Sequence, residues 1–179
     1  MIESDSLENK IDEIYRQYYL DVYKFIICYS GNQNDSEDMT QEVFIRVLKN
    51  LSKYNYSASL KTWIFSIAKH VAIDHYRKAR FTIILKEGFF KQLISSEKGP
   101  IDYAEQNEFK NYVHESISKI KPNYRMVLIL RGINEFSIKE TAQILNYSEA
   151  KVKVVYHRAL KQLEQKLNGD LGEVIKIER

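Results

Sequence analysis

A short helix, a tight turn and a longer helix are predicted by residues 136–163, FSIKETAQILNYSEAKVKVVYHRALKQL. Ser137 and Glu140 have the S-x-x-E spacing of a capping box, so a helix should begin there. It should end just before Asn146, because asparagine tolerates the left-handed conformation that closes a helix. Ser148 can then cap a second, longer helix. This spacing is typical of the DNA-binding helix-turn-helix.

The second predicted helix has an apolar side and a basic side when its residues are placed at steps of about 100°. The apolar side, which should pack, consists of Val152, Tyr156, Ala159 and Leu163, flanked by Val155 and Leu160. The opposite side is positive and also has small or apolar residues, so it can contact DNA phosphates and base edges. With the cap residue it comprises Ser148, Ala150, Lys151, Lys153, Val154, His157, Arg158 and Lys161. A helical hairpin with a solvated basic face is the alternative.

The charge of the chain is distributed unevenly, although the net charge of its 179 residues is only +3. Residues 1–42 carry three Lys or Arg and ten Asp or Glu, which gives −7. Residues 43–82 carry eight Lys or Arg and a single carboxylate, Asp74, which gives +7. Segregation of this kind indicates a basic surface and a polyanionic partner.

The composition indicates an all-α protein. Two prolines and six glycines are too few for a turn-rich β architecture, and the length suits one domain or two small ones. The lone cysteine, Cys28, cannot form an internal disulfide, which suits a reducing compartment. The absence of a run of about 18 apolar residues, together with the acidic N-terminus, predicts neither a transmembrane helix nor a signal peptide. We therefore expect a cytoplasmic protein.

Three amphipathic helices are predicted in the first 80 residues. Apolar residues recur at three- and four-residue steps from Ile11 to Tyr29, and Gly31 should end that helix. A second helix should begin at residue 34 or 35 and run to Leu51, with acidic residues in its first turn. A polar loop with two tyrosines, YNYSAS (54–59), precedes the third helix, which Ser59 can cap.

The third helix places its tryptophan away from its predicted buried side, which consists of Ile64, Phe65, Ile67, Ala68, Val71 and Ala72. Trp63 shares its sector with Ser66, His70, Asp74 and Arg77, with Lys69, Lys78 and Arg80 at the margins. An indole among cations can stack on a base while the cations hold the nucleic-acid backbone. Tyr54 and Tyr56 of the preceding loop can add to this surface. The alternative is that Trp63 packs under the loop as part of the core.

The second helix also has two sides. Its predicted packing side is Thr40, Val43, Phe44, Val47, Leu48 and Leu51, and the other side gathers Asp38, Gln41, Glu42, Ile45, Arg46 and Lys49. An isoleucine among charges is commonly a tolerated surface residue. It is equally suited to be the apolar centre of a protein-binding patch with a polar rim.

Catalysis is not expected. His70 and Asp74 lie one helical turn apart with His75 adjacent, but no Cys/His cluster supplies the further ligands that a metal site needs. The four histidines have no nucleophile–base arrangement, and the sequence has no glycine-rich phosphate loop. We therefore predict no enzyme, no cofactor and no metal. A metal-dependent enzyme built on these three residues is a remote alternative.

A linker is predicted where helical periodicity is lost, at about residues 82–104. Periodicity then returns with a helix up to Ile120, and Pro122 suits the first turn of another, which Gly132 should close. The fold class that follows is all-α, with two small helical domains joined by a flexible linker, the C-terminal one a helix-turn-helix. We predict domains at 1–82 and 106–168, a linker at 83–105 and a frayed tail at 169–179.

Three motifs in this order resemble those of a bacterial sigma factor of the extracytoplasmic-function (ECF) type, and more narrowly the sigma-X-like members of Bacillus and its relatives. The first is D-x-x-Q-E-x-F, which runs from Asp38 to Phe44. The second is TWIFSIA at 62–68, followed by Asp74 and the Arg77-Lys78 pair. The third runs from Val152-Lys153 to His157-Arg158-Ala159.

This resemblance implies an alternative sigma factor that binds core RNA polymerase through its clamp helices and flap. The first domain would bind polymerase through Asp38, Gln41, Glu42, Ile45, Arg46 and Lys49. It would also read and melt the minus-ten element through Tyr54, Tyr56, Ser59, Lys61, Trp63, Lys69, His70, Asp74, Arg77, Lys78 and Arg80. In the family, the loop before the tryptophan captures a flipped base of the single-stranded non-template strand, at the cost of a few kcal/mol of unstacking. The basic side of the last helix would read the minus-thirty-five element.

The resemblance further implies a monomer when free, no covalent chemistry of its own, and control by a membrane-linked anti-sigma factor. The recognition helix departs from the family pattern. Val154-Val155 stands where many relatives have Ser-Arg, and Leu160 replaces a common arginine, so phosphate contacts are fewer and the bases read are undetermined. A helix-turn-helix regulator that binds duplex DNA without polymerase is the alternative function, although it leaves the Trp63 and Asp38 faces without a role.

Overall fold

The computed structural model describes residues 2–89, 113 and 115–177, and the side chains of residues 10–81, 113 and 115–167. Most of the described residues are helical, and none of them lies in a β-strand. The helices are α1 (Ile2–Ser30), α2 (Gln33–Asn50), α3 (Leu60–Phe89), α4 (Pro122–Leu128), α5 (Ile138–Leu145) and α6 (Glu149–Ile177). A 3-10 turn, Leu51–Lys53, follows α2, and a π-helical turn, Ile129–Ile133, continues α4. We call α1–α3 the first block and residues 113–177 the second block.

Local caps fix the ends of the helices in the first block. Gly31 has a φ of 71°, the left-handed conformation that closes α1. The Asn32 side chain accepts a hydrogen bond from the Asp35 amide at 3.1 Å, so α2 begins one or two residues earlier than predicted. The Ser59 hydroxyl accepts from the Thr62 amide at 3.1 Å, which confirms the predicted cap of α3.

The helix-turn-helix has the caps that its sequence predicts. The Glu140 amide donates to Ser137 Oγ at 3.1 Å, and the Ser137 amide donates to Glu140 Oε2 at 2.8 Å, so the capping box is complete. Asn146 closes α5 at φ 55° and ψ 48°, in the left-handed region. The Lys151 amide donates to Ser148 Oγ at 3.2 Å at the start of α6. These bonds hold α5 and α6 in the predicted order and spacing.

The core of the first block lies between the inward faces of its three helices. Its fully buried side chains are Val22, Phe25 and Ile26 of α1, Val43 and Val47 of α2, and Ile64, Phe65, Ala68 and Ala72 of α3. Each sequence-predicted stripe therefore faces the other two helices, and burial of each valine, isoleucine or phenylalanine side chain among them contributes about 1.5–3 kcal/mol. Leu48 is an exception: it was predicted to pack, but 42% of it is exposed. Val43 and Val47 fill the centre of the contact, which leaves Leu48 at its edge.

The two blocks share a continuous core. Phe136, in the connection before α5, packs its ring against Phe65 of α3 with centroids 4.6 Å apart, and both side chains are buried. Arg125 of α4 is buried as well, and it donates from Nη1 to the Tyr29 carbonyl at the end of α1 at 2.8 Å. The sequence left the relative placement of the domains open. In the structure, α3 packs against α5.

Two helices run further than the predicted domain limits. α3 continues to Phe89, past residue 82, and α6 continues to Ile177 through the segment predicted to be a frayed tail. Each extension contains glycine, which costs about 1 kcal/mol in a helix interior but does not by itself end a helix. Most of the predicted linker, from residue 90 onward, lies outside the described residues. Within the described part of the chain, no helix is both long and apolar enough to span a membrane.

Candidate functional site

Two of three neighbouring aromatic rings, those of Tyr54 and Trp63, form one wall of a recess beside the loop that precedes α3. The Tyr54 ring lies 5.2 Å from the Trp63 ring and 4.6 Å from the Tyr56 ring, measured between centroids. The Tyr54 hydroxyl donates to the Ala58 carbonyl at 2.7 Å, so the ring that joins the other two is anchored to the loop backbone. Aromatic rings held in this way provide faces on which a base can stack.

The recess has a volume of about 280 Å³ and is open to solvent; it is lined by Tyr54, Ser57, Ala58, Thr62, Trp63, Ser66 and Gln143. Its rim is shaped by an Asx turn, in which the Ser57 amide and hydroxyl donate to Asn55 Oδ1 at 3.1 and 2.7 Å. Tyr56 stands at this turn with a φ of 59° and is 75% exposed. A non-glycine residue held in the left-handed region at a ligand-facing loop is an observation typical of binding sites.

Trp63 combines the two alternatives that the sequence left open. Its side chain is half-buried and packs against the core, as the core alternative required. It nevertheless lines the recess together with Tyr54, as the stacking hypothesis required. The indole is therefore both a support for the loop and part of the recess wall.

The cations predicted to bind the minus-ten element lie in three different environments. Arg77, Lys78 and Arg80 are exposed on the outer part of α3. Lys69 is half-buried, and desolvation lowers the pKa of its ammonium group. Lys61 is turned away from the recess, because its Nζ lies 2.7 Å from Asp21 Oδ2 and 5.4 Å from the centroid of the Phe136 ring.

The metal alternative has little support from the geometry. Asp74 Oδ2 pairs with Arg46 Nη1 at 3.3 Å, and His75 Nε2 lies 3.8 Å from Asp35 Oδ2. His70 is exposed, and its Nδ1 lies 2.7 Å from the Ser66 carbonyl. No group of three or more His, Cys, Asp or Glu able to hold a metal occurs among the described residues. Asp74 thus orients a neighbouring arginine.

The outer side of α2 forms a continuous surface with an apolar centre. Asp38, Gln41 and Lys49 are exposed, and 43% of Ile45 is exposed among them. Arg46 is held by two carboxylates, since its Nε donates to Glu42 at 2.7 Å while its Nη1 donates to Asp74. The hydrogen bond with Glu42, more than that with Asp74, raises the pKa of the Arg46 guanidinium. The Arg46–Asp74 salt bridge connects the outer side of α2 to α3.

The basic side of α6 is free to meet a ligand. Its eight predicted contact residues, Ser148, Ala150, Lys151, Lys153, Val154, His157, Arg158 and Lys161, are all exposed. Val152 and Ala159 are fully buried on the opposite side, which confirms the phasing. Val154 is 49% exposed amid the charges, and Leu160, predicted to flank the packing side, is 42% exposed.

One lysine of this surface is held by an aromatic ring that the sequence analysis did not single out. Lys151 Nζ lies 3.5 Å from the centroid of the Tyr147 ring, within the range of a cation–π contact. Tyr147 stands in the turn between α5 and α6. The spacing of four residues across a helix N-terminus is the signal that would have indicated this pair.

The residues by which the second block contacts the first were not predicted from the sequence either. Gln143 of α5 lines the recess, and Phe136, Arg125 and Asn134 contact the first block directly. Only Phe136 carried a signal: an aromatic residue directly before a capping box usually packs as a hydrophobic staple on the fourth helical position. That position is Thr141, which cannot supply a large apolar partner, so the ring was available for another surface.

Comparison with protein families gives one match in each block. Residues 14–82 match sigma-70 region 2. Residues 110–163 match sigma-70 region 4. The outer side of α2, α3 up to residue 82 and all the recess residues except Gln143 fall within the first match. The helix-turn-helix, with Gln143, falls within the second.

Two relatives from Bacillus subtilis strain 168 are similar over most of the chain. The ECF RNA polymerase sigma factor SigX is 36% identical over 163 residues, which cover 89% of this chain and 84% of SigX. The ECF RNA polymerase sigma factor SigM is 33% identical over 164 residues, which cover 91% of this chain and 98% of SigM. The similarity therefore extends across both blocks and the segment between them.

Solved structures have the same fold. The sigma factor RpoE, crystallised with the anti-sigma factor NepR from Bartonella quintana, superposes with a TM-score of 0.72 at 19% identity and covers 89% of this chain and 97% of its own. CnrH, in complex with the cytosolic domain of CnrY, superposes with a TM-score of 0.68 at 18% identity and covers 91% of this chain and 90% of its own. At these identities the likeness is one of fold.

Proposed function

Because this chain belongs to the extracytoplasmic-function (ECF) family of RNA polymerase sigma factors, we propose that it divides promoter recognition between its two blocks. It is an alternative sigma factor that directs promoter-specific transcription. In this division, residues 1–82 bind core polymerase and the minus-ten element, and residues 106–168 bind the minus-thirty-five element. A free-standing helix-turn-helix regulator is not favoured, because it gives no role to the sigma-70 region 2 of residues 14–82.

The recess beside α3 takes an unstacked base of the non-template strand. The observation that carries this proposal is the pair of Tyr54 and Trp63 rings that line the recess with centroids 5.2 Å apart, since Tyr54 is anchored to the loop and has the Tyr56 ring 4.6 Å away on its other side. Stacking on an aromatic side chain contributes about 1–3 kcal/mol per base, which is comparable to the few kcal/mol that unstacking costs. Arg77, Lys78 and Arg80, exposed further along α3, then hold the strand's phosphates.

The basic side of α6 reads duplex DNA in the major groove. Lysines on this exposed side contact phosphates, and Arg158 can pair with guanine through both of its terminal nitrogens. Val154, half-exposed in the middle of this side, is suited to contact a thymine methyl group. The lack of polar side chains at Val154 and Val155 makes the readout at this position apolar rather than hydrogen-bonded.

The outer side of α2 docks on the clamp helices of core polymerase. Ile45 supplies an exposed apolar centre, and Asp38, Gln41 and Lys49 supply a polar rim around it. The second block reaches the flap of the polymerase. The chain has no catalytic role in this assembly, and polymerase performs the bond-forming chemistry.

An anti-sigma factor is the further partner that we propose. The solved structures with this fold include RpoE bound to the anti-sigma factor NepR and CnrH bound to the cytosolic domain of CnrY. We extend this to a membrane-linked anti-sigma factor. The chain itself is cytoplasmic and, when free, a monomer.

The docking surface is tested by size-exclusion chromatography with bacterial core RNA polymerase. We expect the wild-type chain to co-elute with polymerase and to bind duplex DNA weakly by itself. The double variant Gln41→Ala, Ile45→Ala should lose about tenfold or more in affinity for polymerase, because it removes the apolar centre and a rim contact.

The matched control is Gln17→Ala, Leu20→Ala, which removes an exposed amide and an exposed aliphatic residue from α1 instead. Full polymerase affinity in the α2 variant, or an equal loss in the α1 control, would show that the docking surface lies elsewhere. Tight duplex binding without any polymerase complex would instead identify a free-standing regulator.

A further inference from the structure

We propose that Tyr147 is a positioning residue for duplex recognition: its ring holds the ammonium group of Lys151 at the start of α6, ready to meet a phosphate of the DNA. This role rests on the proposed function of the basic side of α6, and it adds to that side a residue of the preceding turn. The first observation is that Lys151 Nζ lies 3.5 Å from the centroid of the Tyr147 ring. Cation–π contacts extend to about 6 Å, so this one is close.

The backbone of Tyr147 is fixed by the end of α5. The Tyr147 amide donates to the Ala142 carbonyl at 2.9 Å, and the Asn146 amide donates to the Gln143 carbonyl at 3.3 Å. Together with the left-handed conformation of Asn146, these two bonds form a Schellman motif. The Tyr147 side chain is half-buried and packs against the core. The ring therefore has a defined place in the turn.

Lys151 is held at its backbone as well as at its ammonium group. Its amide donates to Ser148 Oγ at 3.2 Å, in the cap that begins α6. Its side chain is exposed, and among the described residues no carboxylate forms a salt bridge with it. An ammonium group has three N–H donors, and the ring lies on one side of it. The donors on the other side remain open to a phosphate.

The position of Lys151 in α6 is one at which a carboxylate would be more stable. It is the third residue after the cap, and the helix macrodipole makes positive charge unfavourable in the first turn. α5 has the opposite charge at the same position, where Glu140 completes a capping box with Ser137. In α6 the pattern is S-x-x-K instead of S-x-x-E, so the reciprocal bond and the favourable charge are both missing. A ligand explains a cation here better than helix stability does.

The held ammonium group lies at the end of α6 that leads into the DNA. In a helix-turn-helix, the second helix lies in the major groove with its N-terminal residues contacting base edges. Phosphate contacts fix the register of a protein on the duplex, and base contacts then select the sequence. A phosphate bound by Lys151 would therefore set where the exposed residues Val154 and Arg158, further along α6, meet the base pairs.

Holding Lys151 in advance lowers the cost of binding. A free lysine side chain loses rotamer freedom when a phosphate fixes it, and preorganisation avoids that loss, which is equivalent to about twofold to tenfold in affinity for one side chain. The ring also competes with the phosphate for the same ammonium group. Because the ring lies on only one side of the group, we expect preorganisation to outweigh competition.

Duplex binding by the full chain measures the role of the ring. The probe is a fluorescein-labelled duplex of roughly 20 base pairs and mixed sequence, because a phosphate contact does not depend on sequence, and the readout is fluorescence anisotropy over a salt series. Tyr147→Leu keeps an apolar side chain in the turn and removes the aromatic face. We expect it to weaken binding about threefold to fivefold, whereas Tyr147→Phe, which keeps the face, should bind within about twofold of the wild-type chain.

The effect of the ring must depend on Lys151. Lys151→Met keeps a long side chain without the charge, and it should reduce the slope of log K against log salt by about 0.9. Tyr147→Leu should leave this slope nearly unchanged, because the cation is still present, and it should have almost no effect when placed in the Lys151→Met chain. An equal loss from Tyr147→Leu in both backgrounds would overturn the proposal, since the ring would then only support the turn. Tighter binding by Tyr147→Leu would overturn it too, since competition would then dominate.

NMR spectroscopy keeps the test valid if Tyr147→Leu does not fold. In the wild-type chain the ring current of Tyr147 should shift the ε-methylene protons of Lys151 upfield, and this shift should persist when the duplex is bound, because ring and phosphate hold the ammonium group together. An unshifted signal in the free chain, or loss of the shift on binding, would overturn the proposal.

The positioning role and the proposed function of α6 fail in different ways. If Lys151→Met and Lys153→Ala weaken duplex binding but Tyr147→Leu does not, only the role of Tyr147 is wrong. If both lysine variants bind as tightly as the wild-type chain at every salt concentration, the basic side of α6 does not face DNA, and both proposals are wrong.

Discussion

Arg46 of α2 lies 3.3 Å from Asp74 of α3, and this salt bridge joins the two candidate surfaces of the first block. The same guanidinium donates to Glu42 at 2.7 Å within α2. One residue of the surface proposed to meet polymerase is therefore fixed by one residue of the helix proposed to meet promoter DNA. A substitution at either residue therefore alters the position of its partner on the other surface.

The contribution of the Arg46–Asp74 pair to stability should be small. Both side chains are more than a third exposed, so solvent screens their attraction. We expect Asp74→Asn to lower the free energy of unfolding by less than about 1 kcal/mol, and a double-mutant cycle with Arg46→Ala to give a coupling of about 0.2–1 kcal/mol. Urea denaturation measures both quantities.

The matched control is Asp12→Asn, which breaks the more exposed pair of Asp12 with Arg16 in α1. It should change stability less than Asp74→Asn does. A loss of 2 kcal/mol or more in Asp74→Asn would contradict the screened description and indicate a structural role for this pair.

On the basic side of α6, the residues that bind DNA phosphates should be distinguishable by mutation from the residues that select the base sequence. Lys153→Ala is expected to weaken binding to promoter duplex and to reduce the slope of log K against log salt by about 1, because one phosphate contact is lost. Val154→Ala should leave that slope unchanged and alter the preference for one base pair. Fluorescence anisotropy over a salt series, with the polymerase-bound chain, measures both effects.

Lys24→Ala serves as the control for this series, because Lys24 is an exposed lysine of α1 in the first block. Its slope should match that of the wild-type chain. Equal slopes for Lys153→Ala and the wild-type chain would mean that Lys153 does not face the DNA.

The features that sequence predicted correctly are those decided by near neighbours. The capping box of Ser137 and Glu140 and the left-handed cap at Asn146 form within a few residues, so their types and spacing are sufficient to predict them. The buried side of each amphipathic helix was likewise predictable from residue spacing. In α6, for example, the predicted packing residues Val152 and Ala159 are fully buried. The errors in predicted burial occur at the edges of the helix contacts, as with Leu48, which was predicted to pack but is largely exposed.

The contact between the blocks was not readable from sequence. Phe136 and Phe65 are 71 residues apart (136 − 65), and neither periodicity nor spacing indicates that their rings meet. Gln143 lies on an exposed side of α5 and carries no local signal, yet it lines a recess built from the other block. Such contacts depend on how whole helices pack, which a single sequence does not specify.

Cys28 should be unreactive in the folded protein. It is 5% exposed, and desolvation raises the pKa of its thiol to about 12, so the nucleophilic thiolate is scarce at neutral or mildly alkaline pH. We expect alkylation by iodoacetamide at pH 8 to be at least about 100-fold slower in the native chain than in urea. Mass spectrometry of quenched time points measures both rates, and comparable rates would contradict the burial of this thiol.

Two glycines should respond to alanine in opposite directions. Gly31 has a φ of 71°, and an added Cβ there meets no atom within 4 Å, so the cost of Gly31→Ala comes from the backbone alone, at about 1–2 kcal/mol. Gly132 lies in the π-helical turn, where an added Cβ would contact only the Tyr156 hydroxyl at 3.9 Å. Gly132→Ala should therefore stabilise the chain by up to about 1 kcal/mol. Thermal unfolding of both variants shows whether each is more or less stable than the wild-type chain. A change in the same direction for both variants would contradict the prediction.

The capping box of α5 should make stability depend on acidic pH. The hydrogen bonds with Ser137 lower the pKa of Glu140 below its usual value of 4.5, so the unfolded chain takes up this proton at a higher pH than the folded chain does. The contribution of Glu140 is therefore present in full above its unfolded pKa and is lost as the pH falls through its folded pKa. Glu140→Gln should remove this loss and give a flatter profile of unfolding free energy against pH on acidification. Urea unfolding midpoints between about pH 6 and pH 3 measure this pH dependence. If the Glu140→Gln profile runs parallel to that of the wild type, the carboxylate does not stabilise the start of α5.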